Sequence, residues 1–167
     1  MSIEHADVVA LVAEVAATFV GFSLVIGLLQ PHDPSASRRR QSMRSVAELG
    51  LIAAGGAMLA LALDTFGLGP DVVWRVASTL AALLWVALHT AASRRFRTTG
   101  SQVTKTRFLL LGASLAIIGI GLLVWNAIIP DEYSGARYIA ALMLALTVSA
   151  FYFLLETFAN GSDQDFD

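Results

Sequence analysis

The chain contains no cysteine, and only 14% of its 167 residues are charged. The first absence removes disulfides, thiolate metal sites and cysteine nucleophiles together, and it is silent on redox compartment. The second sets the class, because an ordinary soluble domain is roughly 25% charged. With 56% hydrophobic residues and a mean hydropathy of +0.69, the composition is that of an integral membrane protein. Proline is scarce: Pro31, Pro34, Pro70 and Pro130 all fall between long apolar runs and interrupt none of them. The opening residues MSIEHAD hold two acids and neither lysine nor arginine. That is the reverse of a secretory signal peptide, so the first helix is expected to remain in the mature protein.

Catalytic signatures are missing as well. There is no HExxH, GxSxG, Walker A loop or dinucleotide fingerprint, and His5, His32 and His89 are scattered without metal-ligand spacing. No lysine lies inside an apolar run, which excludes a retinal-type Schiff base. The expectation is therefore no enzyme, no metal site and no cofactor. Glu4, His5 and Asp7 read as a solvated acidic start in preference to a weak cation site.

What the chain does contain is five apolar runs, at residues 8–29, 46–68, 72–92, 108–129 and 138–158. About 20 residues at 1.5 Å each cross a hydrocarbon core of roughly 30 Å, so each run is a candidate span. Helix is the structure that satisfies backbone polar groups within such a segment, and the alternation of a barrel strand is absent. The expected fold is an all-α integral membrane protein of five transmembrane helices. Residues 1–159 form one transmembrane domain, and residues 160–167 an acidic cytoplasmic tail. Asn160-Gly161-Ser162 matches a glycosylation sequon, but the expected topology puts it on the wrong side of the membrane.

Orientation follows from the basic residues. Arg38, Arg39, Arg40 and Arg44 follow the first run, and Arg94, Arg95, Arg97, Lys105 and Arg107 follow the third; together they are nine of the eleven. Placing both groups on the cytoplasmic side gives an N-terminus outside and a C-terminus inside. Trp74, Trp125, Tyr133 and Tyr138 are then expected near the outer interface. The arginines after the first run are expected to meet anionic lipid headgroups, and nucleic acid is not an expected partner. The cell (inner) membrane is the expected location.

Two patterns concern packing. The second and third runs, and the fourth and fifth, read as two parallel-repeated hairpins: Arg44 and Arg107, Pro70 and Pro130, and Arg75 and Arg137 recur about 60 residues apart. Positive-inside charge and turn chemistry alone generate much of that match, so independent hairpins remain the alternative. Strips of small residues, Gly50 with Ala54, Ala77 with Ala81, Gly112 with Ala116, and Ala141 with Ala145 and Ser149, permit close helix approach.

The feature that calls for explanation is Glu14, inside the first run. At 100° per residue, Ala10, Glu14, Ala17, Thr18, Gly21, Val25 and Leu28 share one helical face. A carboxylate about 10 Å into a membrane helix must face protein or water, or be protonated. In one reading several copies of the first helix surround an axis, with Glu14, Thr18, Gly21, Val25 and Leu28 lining a cation path. In the other, Glu14 is paired within the bundle, with Arg75 as its candidate partner. Asp64, Arg75 and Asn126 form the remaining outer polar layer, and Asp64 competes for Arg75. Glu48, His89 and Glu156, with Thr90 and Tyr152, form an inner polar layer, read as residues that snorkel or satisfy one another before it is read as a proton-responsive cluster. The expected function is a cation-conducting channel or pore formed by a homo-oligomer, with inorganic cations as ligands. The alternative is a non-conducting scaffold or accessory subunit whose polar residues only stabilise packing.

Overall fold

A computed structural model describes residues 5–29, 36–98 and 105–161, with the side chains at 27–28, 36–45, 92–98, 105–111 and 152–161 outside that description. The described residues form five helices and no strand: α1 (Ala6–Leu29), α2 (Ala36–Thr65), α3 (Pro70–Thr98), α4 (Lys105–Ile128) and α5 (Ser134–Gly161). Four contain stretches long and apolar enough to cross a membrane, at Ala6–Ile26, Val46–Thr65, Pro70–Ala91 and Ser134–Phe151. In α4 the described apolar part, Gly112–Ile128, is shorter.

Helix ends depart from the apolar runs. α2 begins ten residues before Val46, and α3 continues past Ala91 to Thr98, so Arg38, Arg39, Arg40, Arg44, Arg94, Arg95 and Arg97 lie on helical extensions and not in connections. Alanine, arginine, glutamine and methionine propagate a helix readily once it is nucleated, and hydropathy does not register this. At the other end of the chain, α5 carries through Asn160 and Gly161, and the rest of the expected tail, 162–167, lies outside the described residues.

The two described turns have local causes. α2 stops where Gly67 adopts φ 69° and its N–H donates to the Asp64 carbonyl at 3.0 Å, a left-handed termination that glycine tolerates. Pro70 then opens α3, where its missing N–H costs nothing, while the Gly69 carbonyl accepts from Val72 at 2.9 Å and Val73 at 3.1 Å. Between α4 and α5, Asp131 Oδ1 accepts from the Tyr133 N–H at 2.8 Å, and Ser134 Oγ accepts from the Asp131 N–H at 2.9 Å.

α2, α3, α4 and α5 close into a ring in which each packs on the next and α5 returns to α2. α1 stands outside it, packed on α2 and touching α5, with no contact to α3 or α4 among the described residues. The core is built from small residues around a few large ones: Ala53, Ala57 and Ala60 of α2, Ala77 and Ala81 of α3, and Ala141 and Ala145 of α5 surround Trp85, Leu123, Tyr138 and Leu142. Gly50 sets the α1–α2 distance, since a Cβ there would lie 2.5 Å from Val20 Cγ2. Gly56 plays the same part under α5, with Leu142 Cδ2 at 2.8 Å from that position, and Gly119 of α4 lies flat under the indole of Trp85.

Candidate functional site

α1 packs through Val9, Val12, Ala13, Ala16, Val20 and Ser23, all buried. At 100° per residue these occupy one side of the helix. Glu14, Thr18, Gly21 and Val25 fall on the opposite side and are exposed, as are the flanking Leu11 and Phe22. Leu28 completes the expected line by sequence, but its side chain lies outside the described residues. The polar line of α1 therefore faces away from the rest of the chain.

Glu14 makes no side-chain hydrogen bond or ion pair with the described residues. Pairing with Arg75 of the same chain is not what this structure holds, because α1 and α3 do not touch. α2 fills the position between them that a partner would need. A charged carboxylate facing lipid within a membrane helix costs about 2–3 kcal/mol, and the described residues of this chain do not cover Glu14.

The expected outer layer is dispersed. Asp64 is half-buried at the end of α2, and Arg75 is exposed on α3. Asn126 is fully buried, its Nδ2 donating to Ser78 Oγ at 2.9 Å and to the Ser134 carbonyl at 3.0 Å. It ties α3, α4 and the start of α5 together, away from α1. Its Oδ1 and the Nε1 of Trp85 are buried with no partner. In the expected inner layer, Glu48 is half-buried on α2 and His89 exposed on α3, while the side chain of Glu156 lies outside the described residues. Among the described residues no group of histidine, aspartate and glutamate has the arrangement of a metal site.

The expected aromatic belt divides in two. Trp125 and Tyr133 are exposed, at 57% and 62%, whereas Trp74 and Tyr138 are buried and meet at 5.4 Å between ring centroids. Tyr138 donates its hydroxyl to the Gly56 carbonyl at 2.7 Å, which the missing side chain of Gly56 makes possible. Ser149 of α5 likewise donates to the Val46 carbonyl of α2 at 2.7 Å. Below the α4–α5 turn, Arg137 pairs with Asp131 at 2.5 Å and lies 5.8 Å over the Trp125 ring. These contacts were not legible from residue type alone. Helical phase was the available signal, since Tyr138 shares a face with Ala141, Ala145 and Ser149.

Compared with known protein families, with curated proteins and with solved structures, the chain has no significant match in any of the three.

Proposed function

We propose that the protein is a homo-oligomeric, cation-conducting membrane protein whose path runs between copies along the outward face of α1. The observation that carries this reading is the placement of Glu14, Thr18, Gly21 and Val25 together on the side of α1 opposite its contact with α2. The protomer's own core is occupied by Trp85, Tyr138, Leu123 and Leu142, so a hydrated route is better sought outside it. Glu14 would attract cations, Thr18 and the backbone at Gly21 would supply oxygens, and Val25 with Leu28 would narrow the opposite end.

In this reading all five helices cross the cell membrane, α4 included, with the N-terminus outside. The antiparallel order puts the start of α2, the end of α3 and the start of α4 at one end of the bundle, and this end carries nine of the eleven basic residues. It is the cytoplasmic end, where Arg38, Arg39, Arg40 and Arg44 would meet anionic headgroups.

The test is ion flux into liposomes holding wild type or Glu14→Gln at matched incorporation. Cation flux that falls or changes selectivity in the variant supports the path. Flux that is absent, or indifferent to the substitution, rejects it. The buried ties of Asn126, Tyr138 and Ser149 favour a second reading, a non-conducting scaffold; there Glu14→Gln alters assembly or stability and no flux accompanies wild type.

A further inference from the structure

Two charges stand exposed near the same end of the bundle. α1 and α3 run in the same direction, and Glu14 lies about 12 Å along α1 from Ala6 while Arg75 lies about 8 Å along α3 from Pro70. The difference is less than one helical turn, within the reach of an arginine side chain. Neither side chain has a polar partner among the described residues. Each has an exposed apolar neighbour one turn before it on its own helix, Leu11 before Glu14 and Val72 before Arg75.

We infer that copies of this chain associate head to tail, the outward face of α1 in one copy seating on the exposed face of α3 in the next, with Glu14 paired to Arg75. The inference rests on the homo-oligomeric part of the reading above and not on its conducting part: a Glu14 paired with Arg75 on a covered face does not also line an ion path. Charge complementarity selects the occupant: a second copy brings the opposite charge at matching depth together with an apolar surface. Gly21 permits close approach, since nothing lies within 4 Å of where its Cβ would be.

The geometry also selects the symmetry. α1 meets α2 and α5, whereas Arg75 lies one turn before Ser78, whose hydroxyl accepts from Asn126 of α4. The α2–α5 and α3–α4 pairs are on opposite sides of the ring, so the two charges are too. One surface does not hold both, and a reciprocal two-fold dimer through this contact is ruled out. A heterologous contact repeats, giving a closed ring or a row in the membrane plane. In parallel register the contact that joins residues 14 and 75 also brings together Thr18 and Thr79, one turn further along each helix.

The absence of cysteine makes this register directly testable in the full chain. Thr18→Cys, Thr79→Cys and the double variant are reconstituted in liposomes and oxidised, with both charges kept. The double variant is expected to form a ladder of disulfide-linked dimers, trimers and larger species, and each single variant to stay monomeric. Adding Glu14→Gln or Arg75→Gln to the double variant should cut linkage about threefold or more, the scale of an interhelical polar contact in a membrane. The exchange Glu14→Arg with Arg75→Glu should restore it. Dimers from Thr18→Cys alone would overturn the inference in favour of α1 meeting α1. Unlinked thiols that still react with maleimide would overturn it in favour of lipid cover. Linkage that persists in liposomes silent to every cation would leave the contact standing and remove conduction alone.

Discussion

Replacing Gly119 with alanine sets two opposed effects against each other, and a second glycine on α4 separates them. A Cβ on Gly119 would run into Cη2 and Cζ3 of Trp85, the latter at 2.7 Å, and Trp85 is fully buried. Overpacking of this kind costs about 1–3 kcal/mol, and an indole ring held on all sides has little room to retreat. Against this, alanine gains about 0.8–1.0 kcal/mol over glycine in a helix interior. The expected net loss is about 0–2 kcal/mol. Gly121, on the same helix, is exposed, with nothing within 4 Å of its Cβ position, so Gly121→Ala should gain the propensity term alone. The difference between the variants then isolates the steric term at about 1–3 kcal/mol. Unfolding in mixed micelles against a denaturing detergent, followed by circular dichroism, measures both on one scale. Adding Trp85→Phe to Gly119→Ala should recover part of the loss, because the smaller ring vacates the space the methyl needs. Equal stability of the two alanine variants, or a more stable Gly119→Ala, would refute the close α3–α4 approach.

The same unfolding measurement bears on the polar ties. Tyr138→Phe removes the hydroxyl that donates to the Gly56 carbonyl and should cost about 0.5–1.5 kcal/mol; an unchanged midpoint would mean that this bond adds nothing. Asn126→Ala removes donors to Ser78 and Ser134 and should cost about 1–3 kcal/mol, and a neutral result would show that α3, α4 and α5 pack without it.

Hydropathy located all five helices because a run of about 20 apolar residues admits few other structures. It misplaced their ends, since α2 begins at Ala36 among arginines that are good helix formers and poor lipid partners. Position along a helix is legible in the sequence, and azimuth is not. Trp74 and Tyr138 were assigned to the interface because they lie near helix ends, yet both point inward among the small residues of their own helices. For Glu14, the sequence told which residues share its face. It did not tell which face packs, because α1 is apolar on nearly every side and the choice was made by Gly50 on α2, which receives Val20. Asn126 shows a further limit: its partners Ser78 and Ser134 come from two other helices, and only their mutual rotation brings them together.

The order of the ring bears on how the chain is made. Translation delivers helices one at a time, and α1 with α2, α2 with α3, α3 with α4 each become neighbours as soon as the second has emerged. α1 thus has its main partner early, and waits for nothing further except a light touch from α5. Closure is different. The hydrogen bonds from Tyr138 to Gly56 and from Ser149 to Val46 join residues 82 and 103 apart, and both belong to the last helix made. Until α5 is in place, α2 presents an open seam with the bare backbone of Gly56 along it, so the last helix made is also the one that seals the bundle.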